Sequence, residues 1–465
     1  MPASLKTPSP RGRTPRGRWS HPWALVLLAV IGAQGGCQGP PERPNVVIVV
    51  VDTLRPDRLG VYGYTRPTSP RIDSFASTAT TFENASAPSS WTKPSVGSLF
   101  TSRYPSSHGA RSYGTGLTPE IPTLAELLRA QGYATIGVSA NFVHLTAQSG
   151  FDRGFDTWET ASTPAAGDGE EAAPARRVNQ RALEHLDANP TRPFFLYLQY
   201  MEPHTPLRPA APVRRQFARS ASRPASASTE QVLELAAKRR LPQNGEREWL
   251  SDLYDAEVAT ADAAFGDLLA ALDERGLLAN TLVVLTSDHG EAFGEHDSFF
   301  HGQTLYGELL RVPLLVRFPG QRAPRRRADP VDLLDVATTV LATTRTPEAP
   351  SMLGRALQGP IEPRILRAEL YPESGVEAVA GPRRHRVAVA AGAFKTIVDY
   401  TRRAETFRLD QDPGETKPLP PNTEPAALKE AVVGAIDALA NSAPTGTREL
   451  APSEAEALRS LGYLD

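Results

Sequence analysis

Short, uninterrupted apolar runs are the most regular feature of the chain. The first of them, Asn45 to Val51, consists mainly of valine and ends at Asp52. Such a run is typical of a strand that is buried on both faces, as in a parallel sheet. Similar runs predict further strands at Ala134–Ser139, Phe194–Tyr200, Leu282–Thr286 and Val312–Val316.

Stretches with helical periodicity separate these runs. One is Leu124 to Gln131, with Thr123 and Glu126 placed to form a capping box and Gly132 placed to end the helix. Another extends from Glu246 to Arg275, where apolar residues recur at helical spacing. Because strand and helix alternate, we predict an α/β fold with a mixed, mostly parallel central sheet flanked by helices.

The pattern changes beyond about residue 350, where shorter runs are separated by turn residues. It predicts a hairpin, one more strand and a helix, at Arg386–Ala391 with Phe394–Tyr400, Thr406–Leu409 and Ala426–Leu439. The chain has 465 residues, enough for two structural units. We therefore predict a main domain over 45–350 and a smaller antiparallel subdomain over 351–465.

Charge and composition exclude some classes of partner. The chain has 50 Lys and Arg residues against 52 Asp and Glu residues, which gives no sign of a nucleic-acid footprint. We expect the basic clusters Arg214-Arg215 and Arg325–Arg327 to lie in solvated loops. Residues 160–176 and 218–230 are rich in small residues and proline, and these are also predicted to be surface loops.

The N-terminus has the pattern of an export signal. Five basic residues precede Trp23, and the apolar run from Trp23 to Gly32 is too short to span a bilayer. We predict a signal peptide over 1–37 and a linker over 38–44, hence a periplasmic or cell-surface protein. The only cysteine, Cys37, ends this region and suggests lipidation and membrane attachment, although Gln34 fits a lipoprotein box poorly and ordinary signal cleavage nearby stays open.

Acidic residues follow two of the predicted strands. Asp52 ends the first, and Asp288 and His289 come after Leu282–Thr286. In open α/β sheets, ligands bind at the carboxyl ends of strands, so we expect these side chains to meet there. With the Thr92 oxygen they would make a site for a divalent cation. The alternative is that each aspartate merely caps a turn.

Thr92 stands at the start of a predicted helix. Lys93 and Pro94 follow it, and proline is tolerated in a first helical turn. The amide groups and the dipole at a helix N-terminus favour a bound anion. The alternative is that Thr92 is only an N-cap residue, worth about 1 kcal/mol of stability.

Taken in order, several segments resemble the sulfatase family of the alkaline phosphatase superfamily. They are Asn45–Gly60, Trp91–Tyr104, Phe194–Pro206, Thr281–Gly302, Thr304–Gly320, Phe407–Glu415 and Leu461–Leu464. The resemblance places Thr92 where the family has the Cys or Ser that becomes formylglycine. It also implies that His204 and His301 lie around the transferred group, either as oxyanion contacts or as the acid for the leaving oxygen.

This sequence departs from the sulfatase pattern at several positions. His289 stands where many family members have Asn, and Thr53 replaces a second acid. An imidazole ligand suits manganese or zinc better than calcium, so we favour Mn²⁺ and leave Zn²⁺, Mg²⁺ and Ca²⁺ open. His301 and Val96 stand where the resemblance predicts the Lys and Arg that recognise sulfate, and the Lys–x–His element near Asn141 and His144 is missing.

Other polar residues near these motifs are assigned smaller roles. We leave open whether Lys93 contacts the anion or is solvated. We expect His296 to hydrogen-bond to the metal ligands without binding the ion itself. The alternative is that it binds a second metal. Arg55 and Arg103 are predicted to be structural ion-pair partners.

These observations favour a phosphoester hydrolase or transferase with a covalent Thr92 intermediate, because an unmodified hydroxyl can attack phosphorus. The expected partner is an anionic ester, either a phosphoester or a sulfoester, on a lipid head group or a glycan. One alternative is a sulfatase without formylglycine. Another is an inactive surface-binding lipoprotein that keeps the fold.

Overall fold

The computed structural model describes residues 43–161, 174–188, 193–371, 386–399, 403–421 and 423–441. The predicted signal peptide with Cys37, most of the 160–176 loop and the terminal motif Leu461–Leu464 lie outside these ranges. The strands are β1 Asn45–Val51, β2 Thr80–Ser86, β3 Ala134–Ser139, β4 Thr157–Thr160, β5 Phe194–Tyr200, β6 Thr281–Thr286, β7 Ala292–Phe293, β8 Phe299–Phe300, β9 Leu314–Arg317, β10 Arg325–Asp332, β11 Leu366–Leu370, β12 Arg386–Ala391, β13 Phe394–Asp399 and β14 Ala404–Arg408.

The helices lie between and after these strands. They are α1 Pro70–Ala76, α2 Thr92–Thr101, α3 Pro105–His108, α4 Leu124–Ala130, α5 Pro174–Asp187, α6 Ala211–Phe217, α7 Thr229–Ala236, α8 Glu246–Glu274, α9 Gly307–Leu310, α10 Leu334–Thr344 and α11 Ala426–Asn441. Within the described ranges, no helix is both long and apolar enough to cross a membrane.

The large sheet has eight strands in the order β10-β2-β9-β6-β1-β5-β3-β4. Its central strand, β1, pairs in parallel with β5 on one side and β6 on the other. Only β9 runs antiparallel to its neighbours, β2 and β6. The sheet is therefore mixed and mostly parallel, as predicted.

Helices cover both faces of this sheet. Alternate residues of β1 point to opposite sides, so that Val47 and Val49 pack with α8 while Val46, Ile48 and Val50 pack with α2, α4 and α10. All five side chains are fully buried. Burial on both faces explains why the strand reads as an uninterrupted apolar run.

A separate antiparallel sheet of four strands, β11 to β14, forms the C-terminal part. One face of this sheet packs against α11, where Leu428 and Ala435 contact Val387, Val389 and Val398. This arrangement confirms the fold class predicted from the sequence. The domain boundary at 350/351 remains a prediction.

Some loop predictions are wrong. The cluster Arg325–Arg327 belongs to the edge strand β10, and Arg214-Arg215 lie in α6. The predicted 218–230 loop ends early, because Ser228 and Gln231 form a capping box that starts α7. The capping box at Thr123 and Glu126 is present, as expected.

Candidate active site

The carboxyl ends of β1 and β6 bring distant acidic residues together. Val50 is the register partner of Thr286, and Asp52 and Asp288 each lie two residues further along their strands. The two acids therefore leave the sheet at the same level. Both are fully buried, as is His289.

Thr92 is the first residue of α2 and faces the same place. Its Oγ1 lies 3.4 Å from Oδ2 of Asp52 and 3.3 Å from Nε2 of His289. The helix is tied to the acidic loop because the Ser95 hydroxyl donates to the backbone carbonyl of Asp288 at 2.6 Å. Trp91, not Thr92, occupies the N-cap position, so the capping explanation for Thr92 does not fit the structure.

The predicted metal ligands form one compact group. Nε2 of His289 lies 3.7 Å from Oδ1 of Asp52 and 3.6 Å from Oδ2 of Asp288. One ligand atom from each of the three residues lies within 4.8 Å of the others. The Thr92 hydroxyl adjoins this group through Asp52 and His289.

The group has more hydrogen-bond acceptors than donors. Oδ1 of Asp52 is buried and has no hydrogen-bond partner among the described residues. His289 donates through Nδ1 to the carbonyl of Gly290 at 2.9 Å, so in its neutral form it presents the lone pair of Nε2 to the aspartates. Buried acceptors that face one another need a cation or a proton between them, and this mixed oxygen and nitrogen set fits a divalent transition metal.

The electrostatics of Asp52 agree with this description. Burial raises the pKa of Asp52 well above its ordinary value, and the negative charge of Asp288 raises it further. Hydrogen bonds from Nδ2 of Asn141 at 3.0 Å and Nε2 of Gln199 at 3.4 Å oppose the rise. The site therefore holds two carboxylates together at an energetic cost that a bound cation would offset.

Gln199 is a contributor that the sequence patterns missed. It lies in β5, beside β1, and its amide is also 3.5 Å from Oδ2 of Asp288. The only signal is one amide side chain near the end of an otherwise apolar strand. Thr53 contributes through its backbone N–H, which donates to Oδ1 of Asp288 at 3.2 Å.

His204 and His301 lie beside the group. The ring centroid of His301 is 4.5 Å from that of His289 and 4.9 Å from that of His204. His204 donates through Nδ1 to the carbonyl of Thr205, and burial lowers the pKa of His204 to about 3. His204 is therefore a neutral ring near pH 7, and the His301 ring lies between the rings of His289 and His204.

Lys93 and His296 differ from expectation. The Lys93 side chain is 1% exposed and its ammonium donates to the carbonyls of Tyr113 and Thr115, so it is not a solvated lysine. His296 points away from the metal group: Nδ1 contacts Glu308 at 2.9 Å and Nε2 contacts the carbonyl of Glu415 at 3.0 Å. Both ring nitrogens serve these contacts, which leaves His296 no role behind the ligands or at a second metal.

Of the two arginines predicted to form structural ion pairs, Arg55 does so and Arg103 contacts a backbone carbonyl. Arg55 forms ion pairs with Asp57 at 2.7 Å and Glu295 at 2.8 Å, as expected. Arg103 donates instead to the carbonyl of Ser351. Arg55 therefore joins the segment after β1 to the segment at Glu295, and Arg103 joins the end of α2 to the segment at Ser351.

Comparison with known proteins adds independent information. An ulvan-active sulfatase from Formosa agariphila is 27% identical over 68% of this chain and 62% of its own length. The chain thus spans less than two thirds of that relative. Among solved structures, one that contains its substrate D-glucosamine-2-N,6-O-disulfate has a TM-score of 0.68 at 19% identity, over 86% of this chain and 98% of the other.

A phosphonate monoester hydrolase from Silicibacter pomeroyi has the same fold. Its TM-score is 0.70 at 19% identity, over 87% of this chain and 96% of the other. At this identity both structural likenesses establish the fold alone. The Sulfatase family model matches residues 44–346, which include the whole acidic group and Thr92. The chain belongs to the sulfatase family of the alkaline phosphatase superfamily.

Proposed function

We propose that this protein is an exported, metal-dependent hydrolase or transferase that cleaves phosphoric esters through a covalent Thr92 intermediate. The position of the Thr92 hydroxyl carries the proposal: it lies 3.4 Å from Asp52 and 3.3 Å from His289, at the start of α2. Formylglycine expels sulfate through an aldehyde hydrate, which an unmodified threonine cannot form. Attack on phosphorus needs only the hydroxyl.

In this proposal Asp52, Asp288, His289 and Thr92 hold the cation. A divalent cation there would lower the pKa of the Thr92 hydroxyl and neutralise charge on the transferred group. We favour Mn²⁺, with Zn²⁺, Mg²⁺ and Ca²⁺ open, because the ligands combine two carboxylates with an imidazole. Asn141 and Gln199 fix the orientation of the Asp52 carboxylate.

The chain also supplies groups for the transferred anion. The N-terminus of α2, a helix of ten residues, directs amide groups and a positive dipole end toward a group bonded to Thr92. His301 contacts the oxygens of that group or protonates the leaving oxygen, whereas neutral His204 has its proton on Nδ1 and offers only the lone pair of Nε2. Water as the acceptor gives hydrolysis, whereas a sugar hydroxyl gives transfer.

Sulfatase activity without formylglycine is the second candidate. The curated relative acts on ulvan as a sulfatase by its name, and one neighbouring structure holds a sulfated glucosamine. The phosphonate monoester hydrolase of the same fold supports phosphorus chemistry. In either case the substrate class is an anionic ester, carried on a glycan or a lipid head group, and loops such as 205–245 set its specificity.

A substrate panel and one substitution test the proposal. Purified protein loaded with Mn²⁺ is assayed against matched aryl phosphate monoesters, aryl phosphate diesters and aryl sulfates. We expect turnover of phosphoric esters, loss of at least about 1,000-fold in Thr92→Ala, and metal that stays bound in that variant through Asp52, Asp288 and His289. A preference for sulfate, or an active Thr92→Ala variant, would contradict the proposal.

The same preparations address the remaining alternative. Failure to bind Mn²⁺ or Zn²⁺ at neutral pH, together with no turnover, would favour a binding protein that only keeps the fold. Mass spectrometry of the acid-quenched enzyme should show a phosphate adduct on the peptide that contains Thr92. Val96→Ala in the same helix is the matched control, because its side chain packs in the core.

A further inference from the structure

Glu291 is a buried carboxylate beside the proposed site, and no role has been assigned to it above. Its side chain is 1% exposed. Nδ1 of His301 lies 3.2 Å from Oε1 and 3.3 Å from Oε2 of Glu291. The histidine ring is also buried, and it stacks on Phe300 with a centroid distance of 3.9 Å. The ring is thus held between an aromatic face and a carboxylate.

The neighbouring positive charge of Arg55 is already engaged by other groups. Arg55 pairs with Asp57 and Glu295, and its contact with Glu291 is to the backbone carbonyl, at 2.7 Å. A buried carboxylate needs a hydrogen-bonded or charged partner. For the Glu291 side chain, the imidazole of His301 supplies that partner.

We propose that Glu291 is a positioning residue that holds His301 with Nδ1 as hydrogen-bond donor, so that Nε2 carries the proton for the leaving oxygen. This inference rests on the function proposed above. It gives different tasks to the two histidines. His204 donates its Nδ1 proton to a backbone carbonyl, whereas His301 directs its Nδ1 to the side chain of Glu291.

The proton balance of the two half-reactions follows. The cycle starts and ends with the Thr92 oxygen as an alkoxide, and this oxygen bonds to phosphorus as the ester P–O bond breaks. The leaving oxygen takes the electron pair of that bond and the Nε2 proton of His301. The Nδ1 proton of His301 stays on the ring and remains hydrogen-bonded to Glu291. When water then attacks the phosphothreonine, Nε2 accepts a proton from that water, and the bond from phosphorus to Thr92 breaks.

A His–Glu contact alone does not establish such a role, because the chain contains a second one. Glu308 contacts His296 at 2.9 Å in a partly exposed position. The His296 ring stacks on Tyr306, and its other nitrogen contacts a backbone carbonyl. His301 differs because its ring lies 4.5 Å from that of His289. Glu308 therefore provides a matched control.

The test compares Glu291→Gln with Glu308→Gln across esters whose leaving groups range from p-nitrophenol to a primary alcohol. Glutamine can still accept a hydrogen bond from Nδ1 but carries no charge. A proton donor matters most for a poor leaving group. For Glu291→Gln we expect kcat/KM to fall at least about 10-fold for the alkyl ester and less than about 3-fold for the p-nitrophenyl ester. Glu308→Gln should leave both values within about 2-fold.

A second measurement distinguishes an effect of Glu291 on His301 from a loss of activity caused by a disturbed structure. If Glu291 acts through His301, Glu291→Gln should cost no further activity in a His301→Ala background. Equal losses for all leaving groups, or additive losses in the double variant, would overturn the inference.

The two proposals fail in different ways. If the wild type cleaves only sulfuric esters, the phosphoester proposal fails while the same leaving-group series on sulfates still tests Glu291. If the wild type cleaves no ester at all, both proposals are overturned.

Discussion

The segment that follows β6 contributes residues to two clusters, each of which combines histidine with carboxylates. The inner cluster is the candidate site itself and consists of Asp52, Thr92, Asp288 and His289. The outer cluster lies where this segment meets the C-terminal sheet and consists of His296, Glu308, Lys395 and Glu415. Their residue types are similar, but their balance of donors and acceptors is not.

In the outer cluster each carboxylate has a donor. Glu308 meets His296, and Glu415 accepts from Lys395 at 2.7 Å and from the amide of Gly307 at 2.9 Å. In the inner cluster an oxygen of Asp52 is buried without such a partner among the described residues. Residue types thus do not distinguish a binding site from a cluster that only stabilises the fold. In the described part of the chain, the buried carboxylate oxygen without a donor distinguishes the inner cluster from the outer one.

The largest expected effect concerns the outer cluster. Lys395→Met should lower the free energy of unfolding by about 3–5 kcal/mol, because it leaves the buried Glu415 carboxylate without its cation. Urea denaturation measures the change, and cation binding should be unaffected. Arg408→Met is the control, since the Arg408–Asp410 pair is exposed and should contribute less than about 1 kcal/mol. Similar losses in both variants would remove the contrast between the clusters.

A smaller effect is expected when the support of the inner cluster is removed. Asn141→Ala should weaken Mn²⁺ binding about 10- to 100-fold, because the amide at 3.0 Å orients the Asp52 carboxylate. Isothermal titration calorimetry on the metal-free protein checks this. Asn84→Ala is the control, since that amide donates to an exposed carbonyl. Unchanged affinity would mean that Asn141 does not orient a ligand.

Removing a charge from the inner cluster should raise the free energy of unfolding, whereas removing one from the outer cluster should lower it. We expect Asp52→Asn to raise the unfolding free energy of the metal-free protein by about 0.5–2 kcal/mol, because it removes a buried charge repelled by Asp288. The same variant should lose the stabilisation that Mn²⁺ gives to the wild type. Thermal melts with and without the ion measure both effects. A destabilised apo variant would contradict the described imbalance of charge.

The smallest effect is a pH dependence in the outer cluster. Burial disfavours the charged form of His296, but the hydrogen bond and charge of Glu308 outweigh it, so the pKa of His296 is raised above 6.5. The stabilisation from its charged form is complete below that value and is lost as pH rises through the higher folded pKa. His296→Gln should therefore destabilise more near pH 5.5 than near pH 9, by less than about 1 kcal/mol. Equal destabilisation at both pH values would exclude a charged His296.

The sequence predicted the centre of the fold better than its edges. β1, β5 and β6 are buried on both faces, so their apolar runs are unambiguous. β10 reads RRRADPVD and lies at the edge of the sheet, where half-exposed polar residues hide the strand. The short helix α6 was missed for a similar reason, because Phe217 is its only buried residue. In α7 five of the eight residues are buried, but two turns are too few for a clear helical periodicity.

The candidate site divides in the same way. Asp52, Asp288 and His289 could be proposed because a position after a strand fixes where a side chain lies in an α/β sheet. The contacts of Gln199 depend on pairing between distant segments, which no local pattern contains. Glu291 meets His301 across the pair of β7 and β8, and strands of two residues are too short to give a sequence pattern. For Lys93 the sequence left two alternatives open, and the structure excludes a solvated side chain because three oxygen acceptors surround its ammonium.

The pairing of β1 with β6 has a practical consequence. Val50 faces Thr286, and both aspartates follow at equal distance, so a slip of one residue would turn one of them to the opposite side of the sheet. A misfolded chain with that slip would not take up the ion. Metal uptake therefore serves as a quality check on refolded or redesigned preparations, even before any substrate has been found.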